Sequence, residues 1–158
     1  MKAVTLVRAS EKNAEELADI SRRAFHTDLH VGSPGGESGP PGYDSPEAQV
    51  RFMNGCDYYE IRYGDVLVGA IMVLQKSAAH YECCGLFVDP EYHNRGIATR
   101  AFELIWTMYP YAKRWTVGTP AWNERTNHFY QKLGFVKAGI DGPDGIVYER
   151  RMSYGEAM

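Results

Sequence analysis

Hydrophobic positions change their spacing several times along the chain, and each change marks an element. Residues Ala3 to Arg8 alternate weakly and are rich in β-branched side chains, which predicts a first strand. Ala14, Leu17, Ala18, Ser21 and Phe25 recur at helical spacing, and Asn13 with Glu16 three residues later predicts a capping box at the start of that helix. The stretch from Asp28 to Asp44 is too rich in glycine and proline for regular structure, so a long loop is expected, either a functional lid or disordered. Ser45-Pro46-Glu47 is a capped helix start with proline at the first helical position, and this short helix ends near Asn54-Gly55.

Three close-spaced runs follow: Tyr58 to Tyr63, Val66 to Leu74 and Tyr81 to Val88. The first two are joined by the turn pair Gly64-Asp65, which predicts antiparallel strands. After Asp89-Pro90 the period lengthens. Ile97, Ala101, Leu104, Ile105 and Met108 mark one face of a helix that stops before Pro110. Arg114 to Gly118 reads as a strand. A helix then runs from Asn123, with Thr126, Phe129, Tyr130 and Leu133 on one face and Gly134 where a left-handed cap belongs. Phe135 to Ala138 and Ile146 to Met152 close the series as strands around the turn-rich Asp141–Gly145. The predicted order is β-α-α-β-β-β-α-β-α-β-β, a mixed α/β layer with helices on both faces of a mostly antiparallel sheet.

At 158 residues the chain fits one domain spanning 1–158. A net charge of -3 offers no broad basic field, so neither nucleic acid nor anionic membrane is an expected partner. The cysteines are Cys56, Cys83 and Cys84, an odd number with two adjacent. That pattern argues against a disulfide framework and for a reducing, cytoplasmic setting. His80-x-x-Cys83 lacks the further ligands that a metal site needs, so no metal is expected. The N-terminal residues lack the apolar run of a signal peptide, and no stretch approaches the ~20 apolar residues of a membrane span.

The most informative segment is Leu86-Phe87-Val88-Asp89-Pro90-Glu91-Tyr92-His93-Asn94-Arg95-Gly96-Ile97-Ala98-Thr99. A buried strand ends, a loop turns, and a helix opens on small residues. The first turn of a helix has N–H groups without intrahelical partners, and with the helix dipole these form a site for pyrophosphate. Gly96 admits the phosphate to the backbone, Ala98 keeps the turn thin, and Arg95 adds a cation. Read alone, the segment is equally consistent with a plain strand–loop–helix connection. It contains neither G-x-x-x-x-G-K-[ST] nor G-x-G-x-x-G.

A second constellation, Asn123-x-x-Thr126-x-x-Phe129-Tyr130-Gln131-Lys132-Leu133-Gly134-Phe135, decides between the two. Together the segments resemble the GCN5-related N-acetyltransferase (GNAT) family. That family carries Q/R-x-x-G-x-G/A at the helix after its fourth strand, matched here by His93-Asn94-Arg95-Gly96-Ile97-Ala98. It also carries an asparagine and a later tyrosine before K-x-G-F, matched by Asn123 and by Tyr130 to Phe135. His93 departs from the Gln or Arg of the pattern. The motifs cover about Val66 to Met152, and the first sixty residues agree by element order.

The resemblance implies a sheet that splays between its fourth and fifth strands at a bulge. It implies acetyl-CoA as cosubstrate, with its pantetheine arm on the main chain of Phe87 and Val88 and its pyrophosphate on the backbone of Asn94, Arg95, Gly96, Ile97, Ala98 and Thr99. His93 and Asn123 complete the expected cofactor-binding set. It further implies direct attack of a primary amine, small-molecule or peptide, on the thioester. Tyr130 is then the candidate general acid for the leaving thiolate, against the plainer reading of a core tyrosine. Glu82 precedes His93 by eleven residues, the offset of the strand glutamate that acts as base in histone-type members, and is the candidate general base. Alternation puts it on one strand face with His80 and Cys84. His80, Glu60 and Tyr63 are reserve bases, and Cys84 is a minor candidate nucleophile.

Phe25, His26, the Asp28–Asp44 loop, Tyr43 and the Ile140–Gly145 turn lie where the family places acceptor contacts. Asp28, Glu37, Asp44 and Asp57 give that half an acidic cast suited to a cationic amine. An aminoglycoside, a polyamine, an amino acid, and a protein N-terminus or lysine stay open, and a homodimer is a possible assembly. The competing expectation is a non-catalytic acyl-CoA-binding or regulatory module of the same fold.

Overall fold

The computed structural model describes residues 2–153. Its elements run β1 (Val4–Arg8), α1 (Ala14–His26), α2 (Pro46–Gly55), β2 (Asp57–Tyr63), β3 (Val66–Gln75), β4 (His80–Val88), α3 (Ile97–Met108), β5 (Arg114–Pro120), α4 (Glu124–Lys132), β6 (Val136–Asp141) and β7 (Gly145–Arg151). This is the predicted order. The strands form one sheet, β1-β2-β3-β4-β5-β7-β6, antiparallel throughout except for the parallel pair β4–β5.

The sheet carries a separate core on each face. Under α3 and α4 lie Ile97, Phe102, Ile105, Trp115, Tyr130, Phe135 and Tyr148. Under α1 and α2 lie Leu17, Ile20, Tyr58, Leu67, Met72 and Phe87. Burying each large apolar side chain stabilises the fold by about 1.5–3 kcal/mol, so both faces hold their helices firmly.

Two of the three predicted helix starts have the expected chemistry. Ser45 Oγ accepts from Ala48 N–H at 3.1 Å, with Pro46 in the first turn of α2. Asn123 Oδ1 accepts from Thr126 N–H at 3.1 Å and opens α4. The capping box at Asn13 does not form. Asn13 lies in a short 3-10 turn, Glu11–Asn13, and makes no side-chain cap bond. Its amide donates instead to Glu60 Oε2 at 2.8 Å, because a fully buried carboxylate needs donors more than a helix start in water does.

The stripe on α3 also differs in detail. Its buried side chains are Ile97, Ala101, Phe102, Ile105 and Trp106, whereas Met108 is exposed. The Gly/Pro-rich segment after α1 folds onto the domain. It begins as a 3-10 turn, Thr27–Val31, that ends at Gly32 in the left-handed region. It is then tied down by Tyr43, whose hydroxyl meets His26 Nε2 at 2.8 Å and whose carbonyl accepts from Gln49 Nε2 at 3.2 Å.

Candidate active site

β4 and β5 are bonded over four rungs only, His80–Cys83 against Arg114–Val117. Beyond Cys83, β4 continues to Val88 bonded to β3 alone, and the two parallel strands part. The parting begins at a bulge. Val73 pairs with Cys83 and Met72 with Gly85, which leaves Cys84 as the extra residue.

Asp89 N–H donates to Val68 C=O at 2.6 Å, so Asp89 and Val68 are a hydrogen-bonded pair. Antiparallel pairs alternate, so the next residue, Val88, turns its N–H and C=O away from β3 and into the gap. The Val88 carbonyl is occupied by His93 Nε2 at 2.7 Å. A carbonyl only accepts, so Nε2 carries the proton. Val88 N–H is left facing the gap. His93, the departure from the family pattern, therefore braces the end of β4.

Directly after His93 the loop makes two left-handed turns. Asn94 has φ 63°, the only positive value among the described non-glycine residues, and Gly96 has φ 74°. A Cβ on Gly96 would meet nothing within 4 Å. The space in front of α3 is open, and the first-turn amides of Ile97, Ala98 and Thr99 have no intrahelical partner there. The Ile97 side chain is buried in the core, so only its backbone faces that space. Arg95 stacks its guanidinium 5.0 Å from the Tyr92 ring and is exposed. The loop is anchored by Asp89, which caps it through Glu91 N–H at 3.0 Å and takes both nitrogens of Arg23 from α1 at 2.8 and 3.0 Å. No local pattern points to Arg23, because its partner lies sixty-six positions away.

Tyr130 sits at the C-terminal end of α4. Phe135 N–H donates to Tyr130 C=O and Gly134 N–H to Gln131 C=O, at 3.0 and 3.1 Å, with Gly134 at φ 100°. These two bonds form a Schellman cap. The Tyr130 ring is packed by Phe102, Phe129, Phe135 and Tyr148. Burial raises its phenol well above the ordinary tyrosine value, with a smaller push from Cys83. Cys83, the last rung of the β4–β5 pairing, lies in the same core cluster as Tyr130. Asn123, expected among the cofactor contacts, is buried; its carbonyl oxygen caps α4 and its amide donates to Asp28 at 3.1 Å.

Cys83 belongs to the core under α3 and α4, so its neighbour Glu82 faces the α1/α2 side. There Glu82 stands across from Thr116 on β5, with Lys76 Nζ at 4.0 Å. His80 shares that face but is spoken for. Arg114 Nη2 lies 2.8 Å from His80 Nδ1, and a guanidinium has no lone pair to accept with, so Nδ1 accepts and Nε2–H donates to Thr116 Oγ1 at 2.7 Å. Burial, then Arg114, lowers the imidazole below its ordinary value, which keeps it neutral. Glu60 is fully buried and takes bonds from Ser10 N–H, Asn13 and Arg62, so it holds β1 and β2 rather than facing the gap. Tyr63 packs on Tyr92 and Lys2 at the other side of the sheet. Interaction with Cys56, then burial, raises the Cys84 thiol above its ordinary value, which argues against a nucleophilic thiolate there.

A cavity of about 360 Å³ opens on the α1/α2 side of the parted strand, walled by Phe25, Tyr43, Phe52, Met72, Leu86 and Phe87. The expected acidic cast meets it only at Tyr43, on which Asp44 and Glu37 act. Asp28 is held by Arg125 and Asn123, Glu37 by His26, and Asp57 by Arg8 and Tyr109. The Ile140–Gly145 turn is likewise absent from its wall, and Ile140 is 82% exposed. Among the described residues no group of three or more His, Cys, Asp or Glu is placed to hold a metal. No helix among them is long and apolar enough to cross a membrane.

Known proteins share this architecture. The chain is 29% identical over 101 residues to YrkN of Bacillus subtilis (strain 168), an uncharacterised protein; the match takes in 63% of the chain and spans 55% of the length of that relative. The PaiA N-acetyltransferase of Thermoplasma acidophilum, solved with coenzyme A, superposes with a TM-score of 0.81 at 18% identity, covering 95% of this chain and 99% of that one. A GNAT acetyltransferase of Elizabethkingia anophelis with acetyl-CoA bound superposes with a TM-score of 0.63 at 16% identity, covering 94% and 98%. The model of the acetyltransferase (GNAT) family matches residues 7–135, most of the chain, and on that match the protein belongs to the GNAT acetyltransferases.

Proposed function

We propose that the protein is an N-acetyltransferase that moves the acetyl group of acetyl-CoA to a primary amine by direct attack. What supports this reading most is the parting of β4 from β5 beyond Cys83, with Tyr130 in the same core as Cys83 and the Val88 N–H turned away from β3. Structures of the same fold hold coenzyme A or acetyl-CoA, which supports the same cosubstrate here.

The pyrophosphate would rest on the amides of Asn94 to Thr99, where Gly96 leaves the approach clear. The pantetheine arm would lie along Leu86 to Val88, taking the place of a strand. Val88 N–H would donate to the thioester oxygen as negative charge develops on it. Holding both reactants in line supplies much of the rate.

Glu82 faces the side from which the amine arrives and takes its proton. Alkylammonium groups have a pKa of roughly 10.4, so most of the acceptor arrives protonated and a base is required. Tyr130, kept neutral by burial, gives its proton to the leaving thiolate. The free thiols Cys56, Cys83 and Cys84 suit a reducing cytoplasm.

The test is thiol release from acetyl-CoA across a panel of amines, alongside calorimetry with coenzyme A. Release with at least one amine supports the enzyme. Tight coenzyme A binding with no release from any acceptor overturns it in favour of a binding module.

A further inference from the structure

Beside the parted strand the molecule offers an acceptor cavity whose chemistry is apolar. Its wall is aromatic and aliphatic, and no carboxylate lines it among the described residues. The two polar side chains deepest in it are Ser21 and Gln49, each about 1% exposed. Gln49 is engaged at both ends, donating to Tyr43 C=O at 3.2 Å and accepting from Tyr58 OH at 2.6 Å. The one charged residue on the wall is Arg51, which is exposed and therefore stands at the mouth.

The wall is built rather than incidental. Phe25 meets Tyr43 edge to face with centroids 5.9 Å apart and Phe87 at 6.4 Å. The loop backbone presses on the same ring: a Cβ at Gly39 would come within 2.7 Å of the Tyr43 ring. Burial, then the charges of Asp44 and Glu37, raises the Tyr43 phenol above its ordinary value, so the phenol itself adds no charge. A cavity of this size falls within the range of small-molecule sites, about 300–1,000 Å³.

Asp44 and Glu37 act at the Tyr43 edge but do not line the cavity, so inside it a polycation would leave its distal charges against apolar carbon, and it would face Arg51 at the entrance. Each stranded charge would lose its hydration without a partner. A monoamine on an apolar body has the opposite balance. Its ring or branched chain fills the cavity, and its single ammonium points along the wall to the gap, where Glu82 stands one strand from the lining residue Leu74. The Phe25 and Tyr43 rings tolerate one cation passing over them.

We propose that the acceptor is a small arylalkylamine, one amine on an aromatic body, and not a polyamine or aminoglycoside. The proposal rests on the acetyl-transfer reading above and narrows its acceptor. The experiment uses the full chain with acetyl-CoA and follows thiol release with 2-phenylethylamine and tryptamine against spermidine and kanamycin. The expected result is a kcat/KM for the arylalkylamines at least about tenfold above either polycation. Phe52→Ala, at a half-buried position, should cut kcat/KM for 2-phenylethylamine by about 10- to 100-fold while sparing coenzyme A affinity. Arg51→Glu, on the surface, should raise spermidine relative to 2-phenylethylamine.

Preference for spermidine or kanamycin in the wild type overturns the proposal and leaves acetyl transfer intact. Calorimetry of 2-phenylethylamine on the coenzyme A-loaded protein separates the remaining cases. Binding without turnover keeps the cavity assignment and overturns acetyl transfer, and absence of binding overturns the cavity assignment.

Discussion

Phe135 donates its backbone N–H to the Tyr130 carbonyl at 3.0 Å, and the two rings meet edge to face with centroids 5.8 Å apart. The main chain and the side chains of this pair thus fix the same tyrosine, from the turn that ends its helix. The K-x-G-F run is legible as a motif, and its physical content is this double attachment. Tyr130→Phe keeps the ring and its packing and removes only the hydroxyl. Turnover should fall by about 10- to 1,000-fold, with melting temperature and coenzyme A affinity nearly unchanged. Near-wild-type turnover, measured where chemistry limits the rate, would leave Tyr130 a core residue only.

Gly96 tests the phosphate site from the other side. Nothing stands within 4 Å of where its Cβ would be, so the protein itself has room for a side chain. Gly96→Glu should therefore spare most of the fold, apart from roughly 1–2 kcal/mol for a left-handed backbone. It should abolish coenzyme A binding by bulk and like charge. Calorimetry on the folded variant checks this, and unchanged affinity would remove the pyrophosphate from this loop.

Glu82→Gln separates the base from the scaffold. Loss of a proton acceptor matters most where the amine arrives charged, so the rate should fall furthest at low pH and recover toward the wild type as pH approaches roughly 10, the range where alkylamines lose their proton. Coenzyme A affinity should stay the same. A pH–rate profile identical to the wild type would pass the role to water, since His80 has its lone pair on Arg114.

Arg23 and Asp89 carry a stability prediction. Burial pushes the Asp89 carboxyl up, but hydrogen bonds from Arg23 and from Glu91 N–H, with the Arg23 charge, pull it below its ordinary value. A depressed carboxylate contributes stability that is fully present above the unfolded pKa of about 3.9 and is lost as pH falls through the folded value. Arg23→Gln should cost about 2–3 kcal/mol at neutral pH, because it leaves a nearly buried carboxylate short of donors. The gap between variant and wild type should narrow as pH falls below about 4 and close once pH is below the depressed folded value. Denaturant melts across pH decide it, and a difference independent of pH would assign the loss to packing.

Hydrophobic spacing and turn residues made every strand and α-helix legible, along with both motifs of the site. What they missed involves partners far apart in sequence. Asn13 reads as a cap because Glu16 follows it, yet the buried Glu60 on β2, forty-seven positions on, takes its amide. Asp28 reads as part of an acidic face for a cationic amine, yet Asn123 and Arg125 reach it from the start of α4. On α3 the single-stripe reading names Met108. The helix in fact buries Phe102 and Trp106, which pack against Phe135 as well as the sheet.

A strand repeats every two residues, so two residues an odd number apart belong on opposite faces. Cys83 and Val88 are five positions apart, yet both lie in the core beneath α3 and α4. The bulge absorbs the odd step: Cys84 has no partner on β3, and the pairs on either side of it stay in phase. A chain without Cys84 would keep every one of those pairs and every core assignment, because Cys83 and Val88 would then be four apart. What it would lose is the local bend that a bulge puts into a strand. That bend falls where β4 leaves β5, so the insertion changes the direction of the strand and leaves its packing alone.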